Sequence, residues 1–230
     1  MKIFKRLLLV ILVSIILVSS VVILNGYKLY STTVSEISLE DKINEIRSDE
    51  NYVPIGELPD YYSEAVVAVE DHRFYNHSGI DIVSIARAIV SNIKSGEFNE
   101  GGSTITQQVG KNIYFITEKD VVSRKIAEIL VAFELEKNYS KDEILELYMN
   151  TIYFGEGYYG IKEAAKGYYN KEPKDLTLYE ATLLAGVPNA PSVYNPKVSP
   201  ELAKSRQGKV IRSMVEYGYL TQEEADNITE

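Results

Sequence analysis

Two carboxylates at the edges of apolar runs, a hydroxyl- and amide-rich turn and a scatter of bases fall within residues 69–128. Glu70 stands where an apolar run containing Ala65, Val66 and Val69 gives way to Asp71-His72-Arg73-Phe74-Tyr75-Asn76-His77-Ser78-Gly79. A carboxyl at the end of an apolar helix is partly desolvated, which raises its pKa and suits it to accept a proton near neutral pH. A solvated helix-end carboxylate beside Asp71 is the plainer reading. Glu128 adjoins the apolar residues Ile129, Leu130 and Phe133, with Arg124 four residues before it and Lys125 three before. That spacing allows an ordinary surface ion pair. It also allows a basic basin, in which Arg87, Lys111, Lys119 and Lys125 surround one carboxylate.

Between the two acids, Gly101-Gly102-Ser103-Thr104-Ile105-Thr106-Gln107-Gln108 joins a flexible turn to a helix start. Free amides and the dipole at a helix N-terminus suit an oxyanion. Ser103 and Gln108 add side-chain donors, and Lys111 and Asn112 follow. No Gly-Lys-Ser/Thr follows the glycines, so this is no nucleotide loop; a plainly capped helix is the competing reading. Both histidines of the chain lie nearby. His77 reads as a hydrogen-bonded imidazole shaping the loop before Gly79, and the spacing His72-x4-His77 matches no common zinc pattern. Ser91-x-x-Lys94 and Lys94-Ser95-Gly96 imitate two transpeptidase motifs, but they share Lys94, which a real site needs twice and far apart. Cysteine is absent, which excludes a thiol nucleophile and a disulfide framework.

The elements that must position these groups are helical. Residues 7–24 carry no charge and span about 27 Å as a helix, enough to cross a hydrocarbon core of roughly 30 Å. Lys2, Lys5 and Arg6 before this run predict an internal N-terminus and an external body. The apolar run is too long for a signal peptide, and no Ala-x-Ala-like site follows it. Residues 1–6 are therefore expected to be cytoplasmic, 7–24 an anchor, and 25–49 a stalk or lead-in with an amphipathic run at 37–46. A domain is expected over 50–220 and a tail over 221–230. Asp60, Asp81, Ser103 or Thr104, Ser140, Thr177, Ser199 and Thr221 mark helix starts, and Gly96 and Gly218 mark helix ends. No alternating strand pair appears, so the body is expected to be all-α. The first 30 residues hold four bases and no acid; the remainder holds 20 bases against 33 acids. An acidic body argues against nucleic acid as a partner.

The residues now add up to a resemblance. Glu70-Asp71-x-x-Phe74-x-x-His77-x-Gly79-x-Asp81, then Gly102-Ser103-Thr104-Ile105-Thr106-Gln107-Gln108-x-x-Lys111-Asn112, then Arg124-Lys125-x-x-Glu128 resemble the first three motifs of the family 51 glycosyltransferases. These are the peptidoglycan polymerases found alone or as the N-terminal module of bifunctional penicillin-binding proteins. The likeness continues in Lys141-x-x-Ile144-Leu145-Glu146-x-Tyr148-x-Asn150 and in Leu184-Ala185-Gly186-x-Pro188, and near residues 206–214. It covers roughly residues 50–220.

The resemblance implies an all-α, lysozyme-like transglycosylase domain behind an N-terminal transmembrane helix, on the outer face of the bacterial cytoplasmic membrane. It implies lipid II and the growing glycan chain as substrates, with Glu70 as general base and Glu128 as the second carboxylate. Positions matching Arg87, Ser103, Gln108, Lys111 and Arg124 would line the donor phosphate region, with Lys119 a looser match. Asn112, Phe74 and His77 are carried over as further substrate contacts. No cofactor is required; magnesium or manganese at the pyrophosphate is the candidate assistant, and the sequence shows no dedicated metal site. Other cell-wall synthesis proteins are candidate partners. A monofunctional polymerase is the direct expectation, and a piece of a bifunctional one the alternative. A non-catalytic, membrane-anchored scaffold would be expected to lose one of the two acids. Finally, the apolar run at 113–116 with Val121 and Val122 is expected either to be core or to form a lobe dipping into lipid through Phe115 and Ile116.

Overall fold

The computed structural model describes residues 2–96 and 101–229. Residues 1 and 230, at the ends of the expected cytoplasmic segment and tail, lie outside this set. Eleven α-helices follow one another among the described residues: α1 (Lys2–Glu36), α2 (Leu39–Arg47), α3 (Asp60–Glu70), α4 (Ile82–Ser95), α5 (Ile105–Tyr114), α6 (Val121–Asn138), α7 (Lys141–Thr151), α8 (Gly160–Tyr169), α9 (Leu178–Gly186), α10 (Pro200–Glu216) and α11 (Gln222–Asp226). Only two isolated β-bridges occur among these residues, Ser78 with Ile80 and Tyr153 with Tyr159. The all-α expectation holds.

The helix starts follow from local chemistry. Thr104 with Gln107, Ser140 with Glu143, Thr177 with Glu180 and Thr221 with Glu224 form reciprocal capping boxes. Each satisfies two amides that the first turn leaves without intrahelical partners. Asp81 accepts from Val83 and Ser84 to start α4, and Gly96 ends it in a left-handed conformation (φ 70°). The core gathers apolar faces around α3, α5 and α7. Tyr62, Ala65 and Val66 meet Ile105, Val109, Leu135, Ile144, Leu145, Tyr148 and Leu184, all nearly inaccessible to solvent. α3 packs on α9 and α10, and α5 on α6 and α7. The site lies along these contacts.

Three features depart from expectation. α1 does not end near residue 24: it continues unbroken to Glu36, and Leu39 and Ile43 of α2 belong to the core. Most of the stretch 25–49, expected as a stalk or lead-in, is thus helix packed on the body. α8 gave no starting signal, because Tyr159 offers no side-chain cap. Gly167 inside α8 is required by packing: a Cβ there would come within 2.7 Å of the Tyr158 ring. The run 113–116 splits, with Phe115 in the core at 1% exposure and Ile116 48% exposed. Phe115 is therefore not a lipid contact. Tyr114 is held back as well, its hydroxyl donating to the Ile37 carbonyl at 3.0 Å.

α1 is the one helix among the described residues long and apolar enough to cross a membrane. A second apolar surface is on α4, where Ile82, Val83, Ile89, Val90 and Ile93 stand at least half exposed.

Candidate active site

Glu70 is the last residue of α3, so its side chain leaves the apolar core where the backbone turns away. α5 and α10 close over it. Gln108 on α5 donates from Nε2 to Glu70 Oε2 at 3.0 Å, and Arg206 on α10 places Nη2 3.7 Å from Oε1. The Glu70 side chain is 10% exposed and that of Arg206 7%. Oε1 is buried without a hydrogen-bond partner among the described residues. Burial pushes the Glu70 carboxyl above its usual range, against the opposing pull of the Gln108 bond and the Arg206 charge. One oxygen is thus fixed and the other left without a hydrogen bond among the described residues, on a group with raised affinity for a proton.

The residue after the base is a strut. Asp71 is buried; its Oδ2 accepts from the Ile105 amide at 3.1 Å and lies 2.9 Å from His77 Nε2. Asp71 and His77 together tie the exit of α3 to the start of α5, which carries Gln108. Thr104 adds a second tie, donating from its hydroxyl to the Gly79 carbonyl at 2.7 Å. Phe74 is fully buried, with Lys141 Nζ 4.3 Å from its ring centroid. The Phe74 ring is inaccessible and the His77 side chain 5% exposed, so neither faces solvent, and His77 is the hydrogen-bonded loop imidazole its sequence position suggested.

The backbone cradle expected at the start of α5 is corrected. The Ile105 amide is taken by Asp71 and the Gln107 amide by Thr104, while the Thr104 amide binds the Gln107 side chain. The capped-helix reading holds there, because a buried helix start needs its amides satisfied by protein. Side-chain chemistry remains. Lys125 donates to Ser103 Oγ at 2.7 Å and to Glu128 Oε2 at 2.9 Å. Arg124 Nε lies 3.2 Å from Glu128 Oε1, and its Nη1 donates to the Glu118 carbonyl. Glu128 is 3% exposed, so the ion pair is a buried clamp and not the surface pair its spacing also allowed.

Gly110 lets the two regions approach. A Cβ there would stand 3.2 Å from Val131 Cγ1 and 3.4 Å from the Glu128 carbonyl. The glycine within α5 thus marks a close crossing of α5 and α6.

The structure brings together Glu70 with Gln108, and Glu128 with Ser103, Arg124 and Lys125. Arg87, Lys111 and Lys119 are exposed and stand outside both contact sets. Arg87 Nη1 lies 3.5 Å from His72 Nε2, and His72 stacks on Tyr217 with centroids 4.2 Å apart. Asn112 Nδ2 is buried without a partner among the described residues. No group of three or more potential metal-binding side chains occurs among those residues. Arg206, which opens the last stretch of the resemblance, is the contact residue not carried into the expected site. Its signal was a lone arginine on the helix face that also carries Val210 and Met214, both buried.

The family model described as "Transglycosylase" matches residues 39–215. Penicillin-binding protein 1A of Neisseria lactamica is 50% identical over 175 residues, covering 76% of this chain and 22% of that protein. Penicillin-binding protein 1F of Bacillus subtilis (strain 168) is 48% identical over 173 residues, covering 75% and 24%. The chain matches less than a quarter of the length of these curated relatives. The crystal structure of penicillin-binding protein 1A from Haemophilus influenzae aligns at 24% identity over 76% of this chain and 16% of that chain, with a TM-score of 0.45.

Proposed function

The chain belongs to the transglycosylase family, and from that premise we propose that it polymerises lipid II into β-1,4-linked glycan. The observation that carries the reading is the state of Glu70: buried, oriented by Gln108, raised in proton affinity, and without a hydrogen-bond partner at Oε1 among the described residues. Glu70 takes the proton from the acceptor sugar 4-hydroxyl. That oxygen forms a bond to the anomeric carbon of the lipid-linked chain as the bond from that carbon to the phosphate oxygen breaks. The configuration inverts, and undecaprenyl pyrophosphate leaves with the bonding electrons. Preorganised cations stabilise such a leaving group where its charge develops. Arg124 and Lys125 are held in place by Glu128, and the exposed Lys111 supplies a cation free to meet the phosphates. The donors around Glu128 do not suit a dedicated magnesium or manganese site, because that carboxylate already contacts two cations. A divalent ion would have to arrive on the pyrophosphate oxygens themselves.

The same reading places the body on the outer face of the cytoplasmic membrane, with the flank Lys2, Lys5 and Arg6 inside. The apolar face of α4, with Ile116, Val121 and Val122, meets the outer leaflet. Burying each such side chain is worth about 1.5–3 kcal/mol, enough together to keep a prenyl-linked donor close to the site.

The test is to incubate the purified full chain, in detergent or vesicles, with labelled lipid II and resolve the products by size. Glycan polymer is expected. A folded chain that consumes no lipid II overturns the reading.

A further inference from the structure

α1 makes a more extensive contact with α6 than a tether requires. A Cβ on Gly26 would overlap Ile126 Cβ, and would stand 2.6 Å from Ile126 Cγ2 and 3.0 Å from the Ser123 carbonyl. The two backbones cross so closely that only glycine fits. Small residues serve this purpose where helices approach without an aqueous driving force. Four residues on, the Tyr30 hydroxyl donates to Glu134 Oε2 at 2.8 Å, and Leu29 and Tyr30 pack against the core. Beside the crossing, a crevice of about 360 Å³ separates Asn25, Lys28 and Thr32 from Glu118, Asp120 and Ser123. The docking is therefore concentrated at Gly26 and Tyr30.

Ile126 lies two residues from Arg124 and two from Glu128 on α6, within the turn that forms the buried clamp. We propose that α1 is a positioning element of the active site: through Gly26 on Ile126 and Tyr30 on Glu134, the membrane helix fixes α6, and with it the Arg124–Lys125–Glu128 clamp, at a set height and angle to the bilayer. Because Ile126 sits in the same turn of α6 as Arg124 and Glu128, a shift at the crossing displaces the clamp. The activity consequence rests on the polymerase reading; the structural consequence does not.

The test uses the full chain in vesicles and three variants, Gly26→Leu, Gly26→Ala and Tyr30→Phe. Two quantities are read: the rate of lipid II polymerisation, and hydrogen exchange of the amides at 123–128. Gly26→Leu is expected to lose about tenfold or more in rate, since a displacement of about 1 Å can cost on the order of 10²-fold. Exchange at 123–128 should rise, while the thermal midpoint of the body stays in place. Tyr30→Phe removes the second contact, the bond to Glu134, without adding a clash, and should move both readouts in the same sense by a few fold. Gly26→Ala, which brings only the Cβ that meets Ile126 Cβ, should fall between wild type and Gly26→Leu. A Gly26→Leu chain with normal rate and exchange overturns the proposal. So does a Tyr30→Phe chain in which rate and exchange both hold, or a loss that tracks a fall in thermal midpoint. A wild-type chain that makes no polymer sinks the polymerase reading instead, and the exchange rates then judge the docking alone.

Discussion

Glu70 and Glu128 are both nearly buried carboxylates facing bases, yet they are built differently. Glu128 touches Arg124 at 3.2 Å and Lys125 at 2.9 Å, so both oxygens are engaged by cations in direct contact. The nearest cation to Glu70 is 3.7 Å away, and Oε1 has no hydrogen bond. Burial disfavours a charge, and only contact with partners compensates it. One carboxylate is compensated and holds its neighbours in place; the other is left short of partners, which is what a proton acceptor needs. Proximity of acids and bases in sequence does not distinguish these cases, but distances do.

The comparison breaks first at Glu70→Gln. Loss of the base should lower polymerisation by about 10²–10⁴-fold, measured with labelled lipid II. Stability should move the other way. A carboxyl whose folded pKa is raised stabilises the fold most when protonated, below its ordinary value of 4.5, and that contribution is lost as pH rises through the raised value. At neutral pH the neutral amide removes this loss, so the thermal midpoint should stay level or rise. The wild-type rate should climb with pH along an acid limb displaced above 4.5. A variant that retains more than about a tenth of the wild-type rate, against the hundredfold expected of a general base, removes Glu70 from the role.

A second contrast separates neighbours in sequence. Phe115→Ser creates a cavity at a fully buried site and should cost about 3–5 kcal/mol, read as a large drop in thermal midpoint. Ile116→Ser, at a half-exposed site, should change stability by less than about 0.5 kcal/mol. Its effect should appear in vesicle binding of the transmembrane-deleted domain, together with Val121→Ser and Val122→Ser. Equal destabilisation by both single variants would place Ile116 in the core as well.

How far the sequence reaches follows the range of the interaction involved. α4 was legible to within a residue, because Asp81 caps it and Gly96 ends it, both within one turn of the helix. The helix starts at Ser140, Thr177 and Thr221 were readable for the same reason, while that of α5 stayed open between Ser103 and Thr104. The second helical glycine of α8 obscured a helix whose reason, the Tyr158 ring, lies nine residues away. Arg206 is separated from Glu70 by 136 residues, so only the tertiary fold brings them together. The misread amides of α5 teach a related lesson. The sequence shows an N-terminus rich in donors, but whether they are free depends on Asp71, placed there by another helix. The resemblance supplied residues, while the structure shows Phe74 buried and His77 bonded to Asp71.

Glu128→Gln is the counterpart to Glu70→Gln and should have the opposite sign in stability. It removes two ion pairs from a buried acceptor, but Lys125 is 41% exposed and Arg124 21%, so solvent takes over part of their charge. A loss of about 1–3 kcal/mol is expected, the range for hydrogen bonds to charged groups. Denaturant midpoints at neutral pH check it. A midpoint that rises, as for Glu70→Gln, would erase the distinction between clamp and base.

The smallest effect, and the most informative about coupling, should come from Gly110→Ala. α5 carries Gln108, which orients Glu70, and α6 carries Glu128; Gly110 is where they cross. Alanine is favoured over glycine within a helix by about 1 kcal/mol. Against this, the new Cβ would stand 3.2 Å from Val131 Cγ1 and 3.4 Å from the Glu128 carbonyl. Val131 is fully buried and β-branched, with essentially one rotamer open to it in a helix, so it does not swing aside. The helices must part by a few tenths of an ångström. The propensity gain and the packing loss should nearly cancel, leaving stability within about 0.5–1 kcal/mol of wild type. The rate is more sensitive, because parting α5 from α6 draws Gln108 away from Glu70 or Lys125 away from Ser103. A severalfold fall in rate at near-constant thermal midpoint is expected. If rate and midpoint both hold, the two carboxylate regions are independent, and the contrast between them is one of two separate sites rather than two ends of one.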